Sequence, residues 1–448
     1  MPDTIVTPRP TRERAEAVAL EGGDPDFLSA LRDSARAAYQ EAPWPSSSRD
    51  EAWRRTPQID RFDPAAFALP EGPLADLHPY MVEALRGPLA GGPVLATIVT
   101  DHRGDLLKEQ GAADFAWGLG QGLRRDPLGW SRVLGKVVAP GLRKWTALNT
   151  VRTLGGACIR LAANERPDGY VRVLHGVSQG SASFPRTVVR LGEGAKVTLV
   201  EEWLSADEDP CLLVPVTEVE LGRDSQLTHV ILQRCGERTV VQSTARVAQA
   251  QGSRYEVCWC MLGASWQKSY FETLMQGEAS EARLVGLTLG QGRQHCDLQT
   301  LQDHVAPGAV SDLLYRVAVA ERARSVYAGL IRVEENAQRT NAYVQNRNLL
   351  LSPQAKADSN PTLEILANDV RCTHGTTAGR IDDNQLYYCQ SRGIDRSHAR
   401  RLITEGFFAD VVDALPSGPP RQYARELVLS TLAALVEPAD PGPAPVGA

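Results

Sequence analysis

From about residue 150 to about residue 390 the chain repeats one texture, short apolar or alternating runs with no convincing long helix between them. Tyr170-Val171-Arg172-Val173-Leu174, Lys196-Val197-Thr198-Leu199-Val200, Thr217-Glu218-Val219-Glu220-Leu221, Leu227 to Leu232, Tyr255 to Leu262 and Val326 to Val333 are examples. Alternation sends successive side chains to opposite faces of a strand, so such runs predict β-structure. Glycines at 192, 194, 222, 236, 252, 263, 277, 286 and 290 punctuate them, as expected where turns need positive φ. About 240 residues of evenly spaced short strands fit a pair of sandwiches, a propeller or a β-helix, and periodicity alone does not choose among these.

The flanks read differently. Residues 1–92 predict a helical lead-in, in which Phe27, Leu28, Leu31, Ala35 and Ala38 recur at helical spacing until Pro43, Pro45 and Ser46-Ser47-Ser48 break the pattern. Residues 93–149 are mixed, with an apolar run from Val94 to Val99 and then Trp117, Trp130 and Trp145. The β region takes 150–392. Helix returns over 393–437: Ala399, Leu402, Ile403, Phe407, Val411 and Ala414 form one stripe, and Asp395 is placed to cap its first turn. Pro416-Ser417-Gly418-Pro419-Pro420 stops that helix, and a second amphipathic segment from Arg421 to Val436 carries Leu427, Val428, Thr431 and Leu435 on one side. Residues 438–448 read as a flexible Pro/Gly/Ala tail.

At 448 residues the chain exceeds the size at which one compact core stops growing, so two or three structural regions are expected. A net charge of −6, with no Lys/Arg block able to neutralise a run of phosphates, argues against a nucleic-acid partner. No segment approaches the length of a membrane span, and the opening Met1 to Pro10 is polar and proline-interrupted, so the cytoplasm is the expected compartment. The eight cysteines, at 158, 211, 235, 258, 260, 296, 372 and 389, are dispersed. They read as reduced thiols, most of them small buried hydrophobes.

Catalytic signatures are missing where they would be looked for. No Gly-x-x-x-x-Gly-Lys-Ser/Thr occurs; Gly192-Glu193-Gly194-Ala195-Lys196-Val197-Thr198 lacks the spacing, so no ATP site is expected in this chain. Nor is there a Gly-x-Ser-x-Gly elbow, a His-Glu-x-x-His helix or paired Cys-x-x-Cys. Three clusters offer metal-binding atoms. Cys258-Trp259-Cys260 would put both sulfurs on one strand face and reads as core stacked inside a coil. In His295-Cys296-Asp297, with His304 downstream, neighbours alternate faces and make a poor chelate. Cys372 and His374 share a face, and thiolate and imidazole both ligate iron, so they offer half a site for a second subunit to complete.

Asn336-Ala337-Gln338-Arg339-Thr340, Asn348 to Ser352, Pro361-Thr362-Leu363-Glu364-Ile365, Cys372-Thr373-His374-Gly375-Thr376-Thr377 and Ser391-Arg392-Gly393-Ile394 resemble, in order and spacing, the C-terminal signature of the SufB/SufD family. Weaker echoes lie in Ala147-Leu148-Asn149, Leu191 to Ala195, Val200-Glu201-Glu202 and Glu51 to Thr56. Asn346 stands where SufB-type sequences carry Cys, and Gly375 where they carry Glu, which places the resemblance on the SufD side. It implies a mainly β fold, a right-handed parallel β-helix core flanked by N- and C-terminal α-helical regions. At ~24 residues per coil the region would hold about ten coils and run roughly 50 Å.

The resemblance further implies a non-catalytic scaffold in a SufBCD iron-sulfur cluster assembly complex. Such a chain pairs with SufB along the β-helices and docks the SufC ATPase through its C-terminal helices. A transient iron-sulfur cluster would form at the SufB interface, with His374 and then Cys372 facing it; whether the complex binds flavin stays open. Leu402, Phe407, Phe408 and Val411 are the expected ATPase contacts. Two other readings remain: a SufB-like primary cluster holder, which Asn346 counts against, and a β-helix carbohydrate-active enzyme. For the latter the chain offers only the isolated pairs Glu201-Glu202, Glu334-Glu335 and Asp382-Asp383.

Overall fold

A computed structural model describes residues 19–20, 22–67, 77–109, 113–178, 180–206, 209–415 and 417–436. The tail at 438–448, the opening ten residues and Pro416 lie outside the described residues.

The alternating runs form a parallel β-solenoid of about eight turns, with helices at both ends of the chain. Each coil gives one strand to a ten-stranded sheet and one to an eleven-stranded sheet. Side chains of one parity point into the lumen between the sheets; Val197, Leu199 and Trp203 do so from one strand, and Leu227 and Ile231 from the strand paired to it. A fully buried aliphatic or aromatic side chain of this kind contributes about 1.5–3 kcal/mol.

The coil is longer than expected. From one turn to the next the register pairs Gln226 with Arg254, Arg254 with Glu281, Glu281 with Val310, Val310 with Asn341 and Asn341 with Arg371, steps of 27 to 31 residues. The reason is strand length: Glu281–Gly290, His295–His304, Val310–Val319, Arg324–Val333 and Asn341–Leu350 each have 10 residues, and turns separate them. The same chain therefore makes about eight turns instead of ten.

Inside the lumen, Trp259 stacks on Phe271 with ring centroids 4.7 Å apart. Its indole occupies the place a side chain would take on the next coil: a Cβ on Gly286 would lie 1.9 Å from the Trp259 ring. That glycine is fixed by close approach and not by a turn.

The boundaries also shift. The solenoid takes in Val94–Asp101, which pairs parallel with Tyr170–Val177, and its last strand ends at Gly379. Residues Asp383–Ser391, assigned above to the β core, form an α-helix capped by the Asp382 side chain.

The two ends of the solenoid are unlike. At the first, Gly104–Glu109 folds back antiparallel on Val94–Asp101 and Ala116–Gly118 lies antiparallel on Gly156–Leu161, so parallel stacking cannot continue. Helix Asp26–Glu41 and the short 3-10 turns that follow it bury Trp44, Trp53, Ile59 and Phe62 with Trp145 and Trp266 on the outside of the eleven-stranded sheet. At the other end Lys356–Ile365 and Arg371–Gly379 are the last strands of their sheets, and among the described residues nothing is paired to their outer edges.

The C-terminal helices Arg396–Asp413 and Pro419–Val436 pack on the outside of the ten-stranded sheet. Asp395 caps the first of them, accepting from the Ser397 and His398 amides at 3.0 and 3.1 Å, as its sequence position predicts. Ion pairing of Arg316 with Asp410 and a hydrogen bond from Arg234 to the Tyr423 hydroxyl fasten the helices to the sheet.

Candidate functional site

The last strand carries Cys372 and His374 in register with Ala342 and Val344 of the strand below. Ala342 and Val344 are buried members of the lumen core, so Cys372 and His374 continue the lumen-facing row where the lumen runs out. Cys372 is half-buried against that core, and burial raises its thiol above the ordinary value although a backbone hydrogen bond from Ala342 opposes the rise. His374 is exposed. Both side chains therefore sit at the bare end of the solenoid, one partly packed and one presented.

Beneath them lies a polar bed. Asn346, fully buried, accepts from Ser359 Oγ at 2.8 Å and from Asn348 Nδ2 at 2.8 Å, and Asn348 also donates to the Thr377 carbonyl of the last strand at 3.0 Å. Strand ends left unpaired are templates for another chain. Pro361 in Lys356–Ile365, which lacks an N–H, is tolerated in a strand at a sheet edge.

The other metal candidates separate. Cys258 and Cys260 are buried as core, on the outer face of their sheet beneath the C-terminal helices and not inside the coil; Trp259 between them fills the lumen. Cys296 and His304 face the lumen while His295 and Asp297 face outward and meet Thr56, so this run does not converge. Among the described residues no group of three or more His, Cys, Asp or Glu is arranged to hold a metal ion.

The expected ATPase contacts divide as well. Leu402 is 53% exposed and Phe407 half-buried, but Phe408 at 1% and Val411 at 0% are packed between the solenoid and helix Pro419–Val436. Those two hold the chain's own helices in place, which corrects their assignment to a docking surface. The exposed apolar groups nearby are Tyr387 and Tyr388, 74% and 60% exposed, on the helix Asp383–Ser391. With Cys389, Ile403 and Phe407, Tyr388 lines a cleft between that helix and the next. Asp382, in an N-cap position, was the sequence signal for this helix.

One buried cluster was not foreseen as such. Glu201 points into the lumen and accepts from Thr187 at 2.6 Å, Thr217 at 2.9 Å and His229 Nε2 at 2.8 Å, with His175 Nε2 at 3.3 Å. Tyr255 and Thr100 hold the other ring nitrogens of His229 and His175 at 3.0 and 2.8 Å. Burial alone would raise the Glu201 carboxyl, but the hydrogen bonds and charge of the two histidines outweigh it and hold it well below the usual carboxylate range. Glu202, its neighbour, faces outward and pairs with Arg172 at 2.6 Å. The two carboxylates therefore lie on opposite faces of one strand and form no acid pair.

A family model described as SUF system FeS cluster assembly, SufBD core domain, matches residues 174–407. This chain belongs to the SufBD family. The matched stretch takes in most strands of both sheets, the Cys372–His374 strand and the part of the following helix that bears Leu402 and Phe407. Among curated SufBD proteins it is 31% identical over 252 residues to an iron-sulfur cluster assembly SufBD family protein of Synechocystis, covering 54% of this chain and 56% of the relative. It is 29% identical over 263 residues to the iron-sulfur cluster assembly protein SufD of Escherichia coli, covering 57% and 62%. To SufD of Bacillus subtilis it is 27% identical over 276 residues, covering 61% and 63%. The chain thus spans less than two thirds of the length of these relatives, and within the family it is SufD-like.

Proposed function

We propose that this SufBD-family chain is a cytoplasmic, non-catalytic SufD-type scaffold that pairs with SufB and docks the SufC ATPase. The observation that carries the reading is the bare end of the solenoid. A buried core there stops one strand short of a cover, with a thiol and an imidazole on the face left open. A second solenoid laid against these edges would continue the ladder and cover Leu363 and Cys372, which are only partly buried. It would also complete the ligand set for a nascent iron-sulfur cluster, carried as cargo, to which Cys372 and His374 contribute two donors.

Such a split site suits release. A cluster held by donors from two chains is freed when the chains move apart, without chemistry by this one. Tyr387, Tyr388 and Leu402 form the surface offered to the ATPase, beside helices that are themselves anchored to the solenoid by Phe408 and Val411. No described helix is long and apolar enough to cross a membrane, in keeping with this role.

Co-expression with the host's SufB and SufC tests the reading, comparing wild type with His374→Ala and reading complex recovery and anaerobic cluster absorbance from one purification. The expected result is an intact complex with a cluster yield lowered several-fold. Unchanged yield would remove His374 from the site, and failure to recover any complex with wild type would overturn the scaffold reading.

A further inference from the structure

Away from the bare end, a cavity of about 650 Å³ lies where the N-terminal 3-10 turn Pro57–Arg61 crosses the eleven-stranded sheet. Its size falls in the range of small-molecule sites. Pro57 and Phe62 wall it on one side, Val240 and Trp266 on the other, and the Phe62 and Trp266 rings meet edge to face with centroids 5.2 Å apart. The lining is thus largely apolar and aromatic. Its charges are Arg61, Arg293 and Asp60.

Those charges do not cancel one another. Both oxygens of Asp60 are engaged by Ser47, through the backbone amide at 2.9 Å and through the hydroxyl. Neither Arg61 nor Arg293 has a carboxylate partner among the described residues. Among the described residues, two polar atoms of the lining, Gln58 Oε1 and the indole N–H of Trp266, are buried without a hydrogen-bond partner. An aromatic-walled cavity lined by two exposed guanidiniums with no carboxylate partner among the described residues suits a flat ring bearing a negative charge. The ring would lie against the walls and the anion against a guanidinium, whose fork geometry suits carboxylate or phosphate.

The geometry points to this cavity as a binding site for a small aromatic anion. Its walls come from two separate parts of the chain, so an occupant also ties the N-terminal strap to the solenoid. Nothing in the Cys372–His374 end is involved, and the inference stands or falls independently of the scaffold reading.

The test uses 2-naphthoate as probe and neutral 2-naphthamide as its control, with the full chain, by ligand-observed NMR and thermal unfolding. The expected result is that naphthoate binds at least about tenfold more tightly than the amide and raises Tm. The double variant Arg61→Gln, Arg293→Gln should lose that preference while unfolding at the wild-type temperature without ligand. Equal binding of the two probes, wild-type binding by the double variant, or no binding at about 1 mM overturns the proposal.

Discussion

Val344 lies in register directly beneath His374, buried to 1% while the residue above it is exposed. The last covered coil and the first uncovered one therefore differ by a single strand. Truncation of Val344 to Ala leaves a void in a packed lumen and should destabilise the isolated chain by about 1–3 kcal/mol. His374→Ala should change stability by less than about 0.5 kcal/mol. Urea unfolding of both variants measures this; a comparable loss for His374→Ala would mean that the end is covered in the isolated protein.

Phe408 and Leu402 sit on one helix, the first buried and the second exposed. Phe408→Ala is expected to destabilise the chain by about 3–5 kcal/mol, since the ring fills the seam between sheet and helices. Leu402→Ala should leave stability unchanged and weaken SufC capture, read by pull-down at matched folded concentration. Loss of capture by Tyr387→Ala plus Tyr388→Ala would extend the same surface.

Gly286 should tolerate no side chain. Alanine there drives a methyl into the Trp259 ring, which is fully buried and stacked on Phe271, and overpacking of this kind costs about 1–3 kcal/mol. Gly286→Ala combined with Trp259→Leu should recover part of that loss, and a double-mutant cycle in urea measures the coupling.

His304 gives the fold an acid-sensitive limb. Burial in the lumen pushes its imidazole down to about 4, below the unfolded value of about 6.5. The native state thus binds fewer protons than the unfolded chain between those two values. Stability is full above about pH 6.5 and falls as pH drops towards about 4, by an amount of order 3 kcal/mol. His304→Gln should flatten this slope between pH 7 and pH 5 in urea titrations; an unchanged slope would assign the acid sensitivity elsewhere.

Much of this architecture was legible because its rules are local. Alternation in Lys196 to Val200 and Tyr255 to Leu262 marks strands wherever a sheet has two distinct faces, and Asp395 announces its helix by capping chemistry alone. Coil length was not legible, because it depends on how far each strand continues before turning, and Gly286, which reads as a break between runs, lies inside a ten-residue strand. The helix Arg396–Asp413 shows a second limit. It meets a sheet on one side and a helix on another, so its apolar residues wrap around it, and sequence spacing could not separate Phe408, inside, from Leu402, outside. Glu201 was visible only as one of two adjacent acids; the histidines and threonines that bury it come from other strands.

The unlike ends of the solenoid set an order on synthesis. A ribosome delivers the antiparallel cap first, and every later coil can lay itself on an edge that already exists, so growth proceeds as on a primed template. The adhesive edge at Arg371–Gly379 emerges only after those coils have been made, and the helices that follow it close over the flank of the solenoid and leave that edge open. A growing chain thus carries an open edge at every stage, and each of these except the last is covered by the chain's own next coil.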